Sequence, residues 1–283
     1  MKFFYSLAAM LAAASPSMAQ SLNLNGASGG TPVPIQITAT QGISWSQKAN
    51  TVTADGNATA TRGDVTVKAD QLIAHYAPEK VASSSSSASG GLLSPGNSQL
   101  TELEAIGHVH IYTATDNAWG DRAVYAAAQQ VLVLTGKNLE LTTPNDTVTA
   151  RDSIEYYASA HKAVARGDAR ITTSDGRSVS ADVITGYFST QPGKADDGTL
   201  ERVEALGHVV ITTKGDTASG DRGVYLPGTE TARLGGNVQI THAGNHLTGS
   251  DVLVDMKSGT ATLLATPGSR VSGVILPSSG STK

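Results

Sequence analysis

Cysteine is absent from all 283 residues. No disulfide can brace the fold and no lipid can be attached through a lipobox thiol, so stability must come from burial and backbone pairing. Aromatics make up 5% and charged residues 16% of the chain, which argues against a core built on large rings. Basic excess is also missing. The formal charge of −4 becomes −5 if Lys2 leaves with an N-terminal leader, so no positive field exists to hold nucleic acid or an anionic bilayer. Long apolar runs are confined to Phe3 to Ala14, shorter than the roughly 20 residues that a membrane-spanning helix needs. No G-x-S-x-G elbow, phosphate loop or dinucleotide fingerprint occurs, and no Ser or His has a recognisable third partner. Catalysis therefore has no candidate residues, and no cofactor is expected.

What the sequence does contain is repetition. Leu103-Glu104-Ala105-Ile106-Gly107-His108-Val109 returns as Val203-Glu204-Ala205-Leu206-Gly207-His208-Val209, and Ala118-Trp119-Gly120-Asp121-Arg122 as Ala218-Ser219-Gly220-Asp221-Arg222. Self-similarity at a fixed offset predicts an array of structural units. Within it, Gly56, Gly107, Gly136, Gly167, Gly207 and Gly236 each precede an aspartate (Asp70, Asp121, Asp152, Asp182, Asp221 and Asp251) by 14–16 residues. That distance fits two strands of about 5–6 residues joined by a tight turn. On this reading a glycine opens each strand pair and a turn aspartate, bonded to its own backbone, closes it.

Alternating segments such as Ile35-Gln36-Ile37-Thr38 and Val65-Thr66-Val67-Lys68 read as half-buried strands, and the Ala-rich piece 123–130 is better taken as strand than helix because Val131 and Val133 continue a period of two. The expected fold is all-β: an elongated, twisted open β-jellyroll of stacked antiparallel hairpin-like repeats. Residues 1–19, with Lys2, an apolar run and Ser17-Met18-Ala19, have the layout of a cleavable export signal. Residues 20–34 form a flexible leader, 35–276 one continuous body, and 277–283 a polar tail. Loop insertions are expected near 78–99 and 190–199, where Ser, Gly, Pro and Asp replace the apolar period.

If the units stack, an apolar set lines up inside: Val109, Ile111, Val124, Leu139, Leu141, Ile154, Ile171, Val183, Val209, Ile211, Val224, Val238, Ile240 and Val252. Such a lining is either filled core or a trough for an elongated apolar ligand. Each methylene shielded from water is worth about 0.8 kcal/mol, so a dozen carbons call for roughly 10 kcal/mol of cover. His108 and His110 have the spacing for two metal ligands on one strand face, but Val210 replaces the second histidine in the other copy, so no metal is expected there.

Pro34-Ile35-Gln36-Ile37, Gly56-Asn57-Ala58, Val67-Lys68-Ala69-Asp70, Val133-Leu134-Thr135-Gly136, Gly235-Gly236-Asn237-Val238, Gly249-Ser250-Asp251 and Val274-Ile275-Leu276-Pro277 together resemble the LptA/OstA family. The resemblance implies a periplasmic carrier of lipopolysaccharide whose interior takes the acyl chains of lipid A. It implies, too, a bridge built by edge-strand pairing. Ile35 and Ile37 would meet the membrane-anchored partner of the inner-membrane transporter. Val274 and Leu276 would meet the outer-membrane translocon or another copy, end to end. The competing reading is a non-catalytic structural or adhesive β-repeat protein of the cell envelope.

Overall fold

The computed structural model describes residues 35–77, 100–189, 199–242, 245–255, 258, 260–265 and 270–274. The expected export signal, leader, polar tail and Leu276 lie outside these residues, as do 78–99 and 190–198 of the two insertions. Eighteen strands run in chain order: β1 (Gln36–Thr38), β2 (Gly42–Ser46), β3 (Thr51–Arg62), β4 (Val65–Tyr76), β5 (Leu100–Tyr112), β6 (Asn117–Ala126), β7 (Val131–Thr135), β8 (Leu139–Thr142) and β9 (Asp146–Ala150). They continue with β10 (Ser153–Tyr157), β11 (Lys162–Thr173), β12 (Ser178–Phe188), β13 (Leu200–Thr212), β14 (Asp216–Leu226), β15 (Thr231–His242), β16 (Asn245–Asp255), β17 (Thr260–Leu264) and β18 (Ser272–Val274). The only helical turn among the described residues is Ala158–Ala160.

From β2 to β7 and from β10 to β17 strands adjacent in sequence pair antiparallel, so most of the sheet is a meander. Most strands are 10–13 residues long and are interrupted once near the middle. Register shifts fall between Asp55 and Ala58, Lys68 and Gln71, Ile106 and Val109, Arg166 and Ala169, Leu206 and Val209, and Gly235 and Val238. A bulge bends its strand and sharpens the local twist. With the bulges in line across the strands, the sheet folds along a crease into two facing leaves. In place of one long strand, β7 with β8, and β9 with β10, cross the crease as separate pieces.

The repeating glycines make that crease. Gly107 and His108 both have positive φ, 76° and 46°, as do Gly207 and His208 at 76° and 47°. Two consecutive left-handed residues let the chain step sideways without ending the strand, and the first of them must be Gly because a Cβ would strike the Asp70 or Asp182 carboxylate. This corrects the expected roles. Five of the six glycines lie in mid-strand, not at strand openings, and Gly136 sits in the bend between β7 and β8. The aspartates do not close turns on their own backbone: Asp121 accepts from Lys137 N at 2.9 Å and Asp221 from Asn237 Nδ2 at 2.9 Å, both across to the next unit.

The hairpin from Gly107 to Asp121 is nonetheless real. Its true turn is Thr113 to Asp116, where Asp116 N donates to Thr113 Oγ1 at 3.1 Å and Thr113 N to Asp116 O at 2.9 Å. The same Thr-x-x-Asp turn recurs at 143–146 and 213–216. At each end the sheet stops in two short edge strands instead of one. β1 and β2 both lie on β3, while β17 and β18 both lie on β16. Ile37 packs against the core, whereas Ile35 and Val274 are exposed.

Candidate functional site: the trough between the leaves

Directly opposed residues in a sheet point to the same side, so the registers give the lining of each leaf. On the first leaf one unbroken row runs Val67, Ile111, Ala118, Leu141, Val148, Ile171, Val179, Ile211, Ala218, Ile240. Facing it on the second leaf is Leu103, Tyr125, Leu132, Tyr156, Ala163, Gly186, Val203, Tyr225, Ala232, Val254. Nearer the crease the leaves converge and small side chains take over: Ala58, Ala69, Ala105, Ala123, Ala165, Ala169, Ala181 and Ala205 are all buried. The alanine content of the sequence is thus a steric requirement of the fold line.

Eleven of the expected lining residues point inward: Val109, Ile111, Leu139, Leu141, Ile154, Ile171, Val209, Ile211, Val238, Ile240 and Val252. Three do not. Val124 lies opposite Glu104, Val224 lies between Glu204 and Arg233, and Val183 lies between Arg166 and Leu206, which is 53% exposed. Their inward neighbours are Ala123 and Tyr125, Gly223 and Tyr225, and Ile184. The physical reason is a phase slip. Ala118 and Gly120 share a face with Ala123 and Tyr125, so two consecutive residues, Asp121 and Arg122, point outward where the strand crosses the crease.

The interior is largely filled, with one larger gap in the middle. A cavity of about 150 Å³ is bounded by Ile111, Leu132, Leu141, Val148, Ile154, Tyr156, Ala163, Ile171, Gly186, Phe188 and Val203, among others. Voids of about 20–30 Å³ lie to either side. The gap has a sequence cause, since Ala163 and Gly186 are two small residues side by side, whereas the row's other small residue, Ala232, stands alone between Tyr225 and Val254. Residues near the crease are buried, while Leu132, Leu141, Val148, Ile171 and Phe188 on the rims are half-buried, so the trough is closed at the crease and reaches solvent at the rims.

Polar groups at this site are few. Asp146 sits at one rim, and burial pushes its carboxyl up to about 6, with Arg177 opposing and Asp175 adding to the shift. Glu155 is also buried, and burial works to raise it, yet hydrogen bonds from Tyr157, Ser153 and Arg166 outweigh that and hold it below the usual carboxylate range. Tyr225 is 0% exposed, and its hydroxyl has no hydrogen-bond partner.

His108 and His110 engage different partners. His108 Nδ1 bonds Asp70 at 2.8 Å, and the interaction raises the imidazole above its ordinary value. His110 stacks on Trp119 and Tyr112, with ring centroids 4.9 and 4.7 Å away. His208 meets Asp182 at 2.9 Å in the other copy, so both crease histidines serve the ladder of aspartates.

The family model described as "LptA/(LptD N-terminal domain) LPS transport protein" matches residues 36–152 and 190–260. No curated protein matches the chain. Among solved structures, similarity is found to LptH, described as the LptA homologous periplasmic component of the conserved lipopolysaccharide transport device from Pseudomonas aeruginosa. Identity is 20% and the TM-score 0.40, over 47% of this chain and 95% of that one.

Proposed function

The chain belongs to the LptA/LptD N-terminal family of lipopolysaccharide transport proteins, and from that membership we propose that its trough carries the acyl chains of lipid A across the periplasm. The family's work is transport, not catalysis. The observation that carries the proposal is the aliphatic gap between the leaves, lined on both sides and half-exposed along both rims. Its lining gives shape-tolerant cover and almost no hydrogen bonding, which suits fatty chains of varied length. A cavity of about 150 Å³ accepts a benzene-sized guest, a fraction of one acyl chain. Loading therefore parts the two leaves, which are joined at the crease and free to separate at the rims.

In this proposal the export signal over 1–19 delivers the chain to the periplasm. The paired edge strands β1 and β2 receive an inner-membrane anchor, and β17 and β18 meet the outer-membrane translocon or a second copy. Unpaired backbone at a sheet edge is a template for another strand. At about 4.8 Å per strand, fourteen strands in each leaf span about 60 Å, so further components are needed to bridge two membranes.

The test is site-specific photo-crosslinking to lipopolysaccharide in the intact chain. Probes at Ile111 and Ile211, which point inward, become labelled, and a probe at the outward Thr212 does not. Labelling of both faces alike, or of neither, would return the interior to the role of packed core and favour a structural envelope protein.

A further inference from the structure

Away from the trough, β4 and β5 bring three metal-ligating side chains together on the outer face of the second leaf. His75 and Glu102 are directly opposed across the strands, and Glu104 is the next outward residue along β5. One donor atom from each of the three lies within 4.8 Å of the others. His75 Nε2 is buried and makes no hydrogen bond, although Glu104 Oε1 is only 3.3 Å away. Arg122 donates to the other oxygen, Glu104 Oε2, at 2.7 Å, which fixes the carboxylate with Oε1 turned toward the imidazole.

The Arg122 guanidinium beside Glu104 holds its carboxyl below the ordinary carboxylate range.

The internal repeat provides a control within the same molecule. At the positions matching His75, Glu102 and Glu104 stand Tyr187, Arg202 and Glu204, with Tyr187 opposed to Arg202 as His75 is to Glu102. There the Tyr187 hydroxyl donates to Glu204 at 3.1 Å, and Arg202 lies 3.4 Å from Glu204 and 4.2 Å above the Tyr187 ring. That trio satisfies itself. The backbone therefore does not demand His and Glu in the first copy, where an arginine has been exchanged for a second carboxylate and a hydroxyl donor for an imidazole.

We propose that His75, Glu102 and Glu104 form a site for a divalent transition-metal ion of the Zn2+ class, with Arg122 as the positioning residue for Glu104. One imidazole nitrogen and two carboxylate oxygens match the N/O donor set such ions take, leaving a fourth position for water. Arg122 plays the part of the outer hydrogen-bond donor that orients a ligating carboxylate. The bound ion would tie β4 to β5 in the first copy only.

The experiment is calorimetric titration of Zn2+ into the metal-stripped chain, compared with the double variant His75→Tyr and Glu102→Arg, which installs the trio of the second copy. The wild-type chain is expected to bind one ion, and the double variant to bind it at least ten-fold more weakly while melting within a few degrees of wild type in chelator. Absence of saturable binding by wild type overturns the proposal, as does equal affinity in the double variant, which would place zinc elsewhere, such as at His108 and Asp70. If the double variant does not fold, Glu102→Gln takes its place and must weaken binding at least ten-fold, and undiminished affinity there is equally fatal to the site.

Discussion

Ala163→Phe places a phenyl ring in the gap between the leaves, at the point where Ala163 and Gly186 leave the second leaf thin. Burying a phenylalanine side chain is worth about 1.5–3 kcal/mol, and strain from crowding a packed interior costs about 1–3 kcal/mol. Because the cavity of about 150 Å³ already exists, most of the crowding cost is avoided, and the net change should lie between neutral and about 2 kcal/mol stabilising. A body of this size shifts its melting temperature by about 2–4 °C per kcal/mol. The variant should thus melt at or a few degrees above the wild-type temperature, yet lose most lipopolysaccharide labelling at an Ile111 probe. Thr185→Phe, on the outward face of β12, is the control and should label normally. If Ala163→Phe melts as expected and labels like wild type, the gap is not where the acyl chains enter and the reasoning fails.

Two further outcomes follow from buried polar groups. The Asp146 carboxyl is raised to about 6 in the folded chain against about 3.9 when unfolded, so the folded state binds this proton more tightly. Its contribution is present below about pH 4, fades as pH rises, and is gone above about pH 6, a swing on the order of 2–3 kcal/mol. Asp146→Asn should remove that swing, making the variant more stable than wild type at about pH 7 by up to that amount in urea unfolding; matching curves at both pH values would show that the carboxyl is solvated. Tyr225→Phe removes a fully buried hydroxyl that has no hydrogen-bond partner, and should stabilise the fold by about 1–2 kcal/mol in the same assay. Destabilisation by that amount would mean the hydroxyl is satisfied, for instance by water.

The all-β class, the repeat and the general identity of the lining were legible because strand alternation and the hundred-residue echo survive in sequence. The face of Val124, Val183 and Val224 was not. Beside Val124 and Val224 the inward positions go to a smaller or an aromatic residue, and beside Val183 to Ile184; in all three strands the alternation changes phase where the strand crosses the crease, so alternation carried through from the first leaf picks the wrong side. Glycine misled in a related way. Read alone, Gly107 looks like a strand boundary, and only the pairing of β5 with both neighbours along its full length reveals a bulge inside a strand. The Thr-x-x-Asp turns at 113–116, 143–146 and 213–216 are written in the sequence, but the repeated Gly-Asp-Arg is the more conspicuous turn-like signal and points to the wrong aspartates. Ala163 and Gly186 carry no signal of their own, because a gap is a property of neighbours across strands.

The meander never closes on itself, as β1 meets only β3 and β18 only β16 among the described residues. Length is therefore adjustable, and each added hairpin extends the body without rewiring what is there. The echo between 103 and 203 is six ladder steps, an advance of about 29 Å at about 4.8 Å per step. Over the same interval a coiling of about 20–25° per step turns the outer surface through about 120–150°. Equivalent patches of the two copies consequently look toward different quarters of the compartment, and any rigid body docked on one is denied the other.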